Sequence, residues 1–170
     1  MLNIQSSSNN VMPKFIAISE VKSDYLQVQN ILTNYANNIG IAQPQSVTDE
    51  ALQSAENYIA HINENVTIIE AGMTTSIEKA TLQSFLTEHE TIQTTALSAI
   101  TAKDATVVRS QAARIVGALN DVHKMELFVN TENDTIQAQL TSAITKVITF
   151  AVIGILLIAL VGGGFTVLTT

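Results

Sequence analysis

The chain has 170 residues, with 8 lysines and arginines against 15 aspartates and glutamates and a formal net charge of −7. This acidic balance argues against nucleic-acid binding, which needs clustered basic residues to displace counterions from phosphates. The absence of cysteine excludes disulfides, thiolate metal sites and cysteine nucleophiles. Helix breakers are few and glycine is concentrated in the final apolar run, so the preceding chain favours long helices.

The first strongly periodic segment predicts a helix at about 9–39. Apolar residues recur every three or four positions from Val11 to Ile39, and Phe15 is among them, which places them on one helix face. Lys14 and Asp24 fall on the other side, which we expect to be the polar face.

A second helix is predicted at about 48–73, with Ser46 or Thr48 as its cap. Its apolar residues follow heptad spacing, as packing in a narrow-angle bundle requires. A third helix is predicted at about 77–102. His89 falls on the apolar stripe of this helix, where we expect a core histidine with hydrogen-bond partners.

The fourth helix is predicted at about 104–146, and its apolar pattern runs into the end of the chain without a break. No charged residue follows Lys146. The segment from Val147 to Leu168 is about 22 residues, or ~33 Å as a helix, enough to cross a hydrocarbon core. We therefore expect a transmembrane helix with Lys146 at the membrane interface, joined to the fourth helix as one stiff rod.

These lengths predict an all-α fold, an antiparallel up-down-up-down four-helix bundle over residues 1–146 whose last helix continues into the membrane. The fourth helix would extend beyond the second and third on the membrane side. Residues 2–14 are the only segment available to cover this extension, which would bring the amino terminus to the membrane surface. This arrangement suggests that a first spanning helix is absent.

Two segments resemble the four-helix-bundle sensory domain of bacterial methyl-accepting chemotaxis proteins. One is the opening "SSSNNVMPKFIAISEVKSDYLQVQNILTNY", with a polar stretch, a proline and then heptad steps. The other is the long last helix "LNDVHKMELFVNTENDTIQAQLTSAITKVITFAVIGILLIAL", which leads directly into the apolar span. The resemblance covers essentially the whole chain and lies in pattern more than in fixed motifs.

The resemblance implies the extracytoplasmic sensor of a chemoreceptor, homodimeric through the bundle and held in the bacterial cell membrane, with the bundle in the periplasm or outside the cell. A small-molecule ligand or a periplasmic binding protein would be sensed, and a small movement of the last helix would relay the signal. The first membrane helix and the cytoplasmic signalling region of the family are absent, which implies a fragment. A histidine kinase or a cyclase could carry the same sensor.

Three basic residues are the candidate ligand-binding groups: Lys103, Arg109 and Arg114. They lie around the start of the fourth helix, at the end of the bundle away from the membrane, and the arginine fork suits carboxylates and phosphates. Amino-acid sensors of the family also use arginines on the first helix, and this chain has none there. The alternative is surface pairing with three carboxylates: Asp49, Glu50 and Asp104.

No pattern for catalysis or for a metal is present, so we expect neither an enzyme nor a cofactor. The residues three before each histidine are not glutamate, which removes the motif of di-metal bundles. His61 and Glu64 are one helical turn apart, and a solvated pair is the ordinary interpretation. Neither a nucleophile elbow nor a phosphate-binding glycine loop occurs.

Two further functions remain open from the sequence. One is a complete tail-anchored bundle or a helical pore former, whose anchor would insert into a target membrane. The other is a helical scaffold that binds partners through its acidic face, although that function would leave the apolar end unexplained.

Overall fold

The computed structural model describes the backbone of residues 4–39 and 44–168 and the side chains of residues 11–39 and 44–158. Four helices follow one another: α1 (Ile4–Asn38), α2 (Gln45–Gly72), α3 (Ser76–Thr101) and α4 (Ala105–Leu168). They pack against each other, and these described ranges contain no strand. The expected all-helical fold with four packed helices is confirmed.

Two helix starts differ from the sequence prediction. α1 begins at Ile4 rather than near position 9, so Pro13 lies inside it, where it removes one backbone hydrogen bond. The predicted side-chain cap of α2 at Ser46 or Thr48 is wrong. Pro44 precedes α2 and makes no side-chain cap hydrogen bond, and Thr48 is buried within the helix instead.

The turns at both ends of α3 follow local side-chain chemistry. Thr75 and Glu78 form a reciprocal capping box at its start, which satisfies free backbone N–H groups. At its end Lys103 adopts a left-handed backbone with φ of 55°. The Asp104 carboxylate then accepts hydrogen bonds from the backbone N–H groups two and three residues further on, which starts α4.

The core forms where the apolar stripes of the four helices meet. The largest fully buried side chains come from all four helices: Ile18, Tyr25, Leu32, Ile62, Ile69, Phe85, Ile92, Ile100, Ile115 and Met125. Phe15 departs from the prediction, since it is 39% exposed. The predicted polar face of α1 is also partly wrong, because Lys14 and Asp24 are buried.

α4 continues well beyond the part that the other helices cover. Val129 is buried, whereas Leu140 is 39%, Ile144 51% and Phe150 73% exposed. The helix remains continuous across Lys146. Among the described residues, α4 alone is long and apolar enough to cross a membrane, with a mean hydropathy of 2.1 in its most apolar window and none of that window buried.

Candidate functional site

The three predicted ligand-binding cations are held by separate partners. The Lys103 ammonium donates to the Gln45 side-chain oxygen at 3.1 Å, which ties the α3–α4 turn to the start of α2. The Arg109 guanidinium donates to the backbone carbonyl of Ala36 at 3.0 Å, near the end of α1. These two cations therefore join helix ends.

Arg114 pairs with Glu88 on α3 through two side-chain hydrogen bonds. This bond and the negative charge of Glu88 raise the pKa of Arg114 above its ordinary value. None of the three cations forms an ion pair with the carboxylates suggested from the sequence within the described part of the chain: Asp49, Glu50 and Asp104. Instead of converging on one site, the three cations bind three different helices.

A polar network lies inside the bundle and joins three helices. The Tyr25 hydroxyl of α1 contacts His89 Nδ1 of α3, and His89 Nε2 lies 2.8 Å from the Asn63 side-chain oxygen of α2. The Phe85 ring stacks on the His89 ring at a centroid distance of 5.8 Å. The expectation that His89 is a hydrogen-bonded core histidine is confirmed.

Burial fixes the protonation of this network. It lowers the pKa of His89 to about 4, because a charged imidazolium would lose its hydration. Burial, with a contribution from the charge of Glu88, raises the pKa of Tyr25 far above its ordinary value. Both groups are therefore neutral at pH 7, with Tyr25 donating to Nδ1 and the Nε2–H donating to Asn63.

A second polar cluster, which we call the Lys14 node, comprises Lys14, Gly72, Glu78 and Glu132. The Lys14 ammonium lies 2.6 Å from a Glu132 carboxylate oxygen on α4 and 3.1 Å from the Gly72 carbonyl at the end of α2. A Glu78 oxygen on α3 is 3.7 Å away. Lys14 is 2% exposed, so one buried cation contacts the other three helices.

Glu78 serves both the Lys14 node and the start of α3. One of its oxygens accepts hydrogen bonds from the backbone N–H groups of Thr74 and Thr75. Burial would raise the pKa of Glu78, but these hydrogen bonds and the charge of Lys14 together lower it. The carboxylate is thus ionised at neutral pH, with one oxygen hydrogen-bonded to the start of α3 and the other facing Lys14.

Further ion pairs link α1 to its neighbours along its length. Lys22 contacts Glu126 of α4 at 2.8 Å, and Asp24 contacts His61 of α2 at 2.7 Å. The expected His61–Glu64 pair is therefore replaced by a pair between helices. The Asp24 hydrogen bond is the main cause that raises the pKa of His61.

Beside the Lys14 node, an open groove of about 190 Å³ lies between α1 and α4. Five of its lining side chains are apolar: Val11, Met12, Phe15, Val129 and Ile136. The other three carry neutral amides: Asn130, Asn133 and Gln137. The groove, which we call the α1–α4 groove, begins where α4 extends beyond the rest of the bundle.

Sequence reasoning missed the Lys14 node, although the spacing contains a signal for it. A strict alternation of three and four residues from Val11 leads to Lys14 and then Ile18, so the lysine occupies a core register position. Hydropathy alone places the apolar Phe15, and not its neighbour Lys14, on the predicted apolar face of α1. On α3, Glu78 lies one helical turn before buried Leu82 and shares its stripe.

No family model, curated protein or solved structure matches the chain. Within the described residues, no group of three or more His, Asp or Glu side chains is placed to hold a metal ion. The contacts between the helices and the apolar end of α4 are therefore the features that bear on function.

Proposed function

We propose that this chain is the extracytoplasmic sensory part of a bacterial chemoreceptor. In this proposal the bundle lies in the periplasm or outside the cell, and α4 crosses the cell membrane to a cytoplasmic signalling domain. The same sensor would serve a histidine kinase or a cyclase equally well. The observation that carries the proposal is the continuity of α4 from the packed bundle into the apolar segment.

The continuity matters because a helix transmits displacement along its axis when it has no break. α4 spans 64 residues, or ~96 Å at 1.5 Å per residue. Its first part is fixed to the bundle by Arg114 and Glu126, and its large apolar side chains from Leu140 to Ile158 are exposed. A small shift between helices, as in other switching proteins, would therefore move the apolar end.

We also propose an up-down-up-down arrangement of the helices. Contacts between α1 and α4 support it, because Lys14 contacts Glu132 whereas Gln29, later on α1, contacts the earlier Ala112. The residue numbers of the contacting residues thus decrease along α4 as they increase along α1, which is the pattern of antiparallel helices. Between α3 and α4, Ser84 with Asp121 and Glu88 with Arg114 follow the same rule.

The proposed assembly is a homodimer formed through the bundle. Apolar side chains remain exposed on the outer faces of α1 and α4: Ile16, Leu26, Val116 and Leu127, all between 43% and 51% exposed. Pairing of such faces in a second copy would remove them from water. The proposed input is a small molecule or a periplasmic binding protein, and no catalytic activity is proposed.

Spin labels test the rod and the membrane crossing together. The chain has no cysteine, so labels at Thr131→Cys and Phe150→Cys are site-specific. We expect a narrow distance distribution centred near ~28 Å in lipid nanodiscs, from 19 residues at 1.5 Å each. A variant with two glycines inserted after Ala143 is the control for a flexible joint. A wild-type distribution as broad as that of the control would overturn the proposal.

The same labels report depth in the membrane. The Phe150 label should be reached by oxygen and protected from a water-soluble nickel complex, and the Thr131 label should show the reverse. Equal access of the nickel complex to both labels would exclude the membrane crossing. Reaction of a single cysteine at exposed Asn120 with an impermeant maleimide in intact cells tests the outward orientation.

Ligand sensing is tested by thermal unfolding against amino acids, organic acids and aromatic compounds. A direct sensor should be stabilised by at least one of them, because a ligand that binds only the folded state raises the free energy of unfolding. Absence of stabilisation by the whole panel would refute direct sensing by the bundle.

A further inference from the structure

The α1–α4 groove leaves apolar side chains in contact with water beside the ion pair of Lys14 and Glu132. Met12 is 62% and Phe15 39% exposed, whereas Val129 on the opposite wall is 1% exposed. The groove thus has one buried apolar side chain from each helix, Val11 and Val129, and exposed side chains on both walls. Filling it would remove the apolar surface of Met12 and Phe15 from water, which is favourable.

The chemistry of the lining restricts what can fill the groove. Its polar groups are the amides of Asn130, Asn133 and Gln137, which donate and accept hydrogen bonds but carry no charge. Lys14 and Glu132, which directly precede the lining residues Phe15 and Asn133 in sequence, are engaged with each other at 2.6 Å. An ionic occupant would lose hydration without gaining a counterion, so the lining suits a neutral one.

The volume restricts the size of the occupant. The groove encloses about 190 Å³, and an apolar protein cavity of ~150 Å³ is known to accommodate benzene. One six-membered ring with one small polar substituent therefore fits the groove.

We propose that the α1–α4 groove binds a small uncharged molecule that has one apolar ring and one group able to hydrogen-bond with an amide. As an input to a chemoreceptor this assignment rests on the function proposed above. Binding itself requires only the packed α1 and α4. It can therefore be measured whether or not α4 crosses a membrane.

Such binding would act at the point where α4 leaves the bundle. Phe15 follows Lys14 in sequence, and Asn133 follows Glu132, so the groove and the Lys14 node share the same two helical turns. A ring placed between Phe15 and Val129 contacts both helices beside the ion pair that joins them. Its arrival would change the spacing of α1 and α4 close to the membrane end.

Methionine methyl groups provide the test, because one of them lines the groove. The full chain in nanodiscs is labelled with methyl-¹³C methionine and titrated with benzamide, which carries a ring and a neutral amide. We expect a saturable shift of the Met12 methyl signal. Met73 and Met125 are buried elsewhere and should not shift.

Two related probes separate the parts of the recognition. Benzoate keeps the ring but adds a charge, and acetamide keeps the amide but lacks the ring. Each should bind at least tenfold more weakly than benzamide. Equal affinity for benzoate, or a Met12 signal that does not respond to benzamide, would overturn the proposal.

A matched pair of variants locates the site. Asn133→Trp fills the groove and should abolish the Met12 shift, whereas Asn120→Trp places the same ring on an exposed face of α4 and should leave it unchanged. Unshifted Met73 and Met125 signals verify folding, and Gln137→Trp replaces Asn133→Trp if that variant unfolds. A Met12 signal that changes with protein concentration, but not with benzamide, would assign the groove to a second copy of the chain and refute the proposal.

Discussion

Replacing Lys14 with methionine tests whether the Lys14 node holds the bundle together. The substitution keeps most of the apolar stem and removes the ammonium that contacts Glu132 at 2.6 Å and the Gly72 carbonyl at 3.1 Å. The two acceptors respond differently. The carbonyl loses its donor in a partly buried site, whereas the side chain of Glu132 is 39% exposed and regains water.

The magnitude follows from this difference. Leaving one buried acceptor without a partner costs about 1–3 kcal/mol. Glu78 adds little, because Thr74 and Thr75 continue to donate to it. Removing a buried ammonium also relieves its desolvation, which offsets part of the loss. We therefore expect the free energy of unfolding to fall by about 2 kcal/mol.

The measurement is urea unfolding of the full chain in micelles, followed by far-ultraviolet circular dichroism. Combining Lys14→Met with Glu132→Gln in a double-mutant cycle should give a coupling energy of about 1–2 kcal/mol. Lys22→Met is the matched control, because its ammonium pairs with Glu126 while the side chain is 43% exposed, so about 0.5 kcal/mol is expected. If both lysine variants cost the same, or if the cycle shows no coupling, the structural role assigned to Lys14 is wrong.

Three further predictions concern His89, His61 and Gly72. Because burial lowers the pKa of His89 to about 4 from its ordinary 6.5, the unfolded chain takes up the proton first as the pH falls. The free energy of unfolding should then decrease by about 3 kcal/mol between pH 6.5 and 4, and His89→Gln should remove this share of the slope in urea titrations. His61 changes the free energy of unfolding in the opposite direction with pH. Because its pKa is raised in the folded protein, its stabilising contribution is complete below pH 6.5 and is lost as the pH rises through the folded pKa. His61→Gln should therefore flatten that part of the plot of unfolding free energy against pH. At Gly72 an added Cβ would lie 2.8 Å from the Lys14 side chain, so Gly72→Ala should destabilise the wild-type chain by about 1 kcal/mol but have little effect in a Lys14→Ala background, which lacks Cγ and Cδ; additive losses would contradict the contact.

Much of the fold was accessible from the spacing of apolar residues. Periodic spacing predicted one apolar face each for α2 and α3, and Ile59, Ile62, Phe85 and Ile92 are buried on those faces, because a helix with one apolar face is stable only when that face is covered. The turn between α3 and α4 was also visible as a short polar segment. The left-handed backbone conformation of Lys103, which forms this turn, was not predicted.

The polar contacts between helices were harder to predict. Asp24 appeared to lie on a solvated face, yet it is buried against His61 of α2. Lys14 was also predicted to lie on the polar face, because it is charged. Its position between Val11 and Ile18 nevertheless matches the spacing of the core residues. A charged residue can occupy a core position only when other elements supply its counterions, and those elements lie far away in sequence.

The sequence by itself therefore determined four long helices, their apolar faces and an uncharged end long enough to cross a membrane. These features depend on neighbours within a few residues along one helix. Only the tertiary structure decided that the predicted cations bind partners on three different helices, that Lys14 joins all four helices, and that a neutral groove opens beside it. Those features depend on which side chains meet across helices, and periodicity along one helix carries no information about a partner's register.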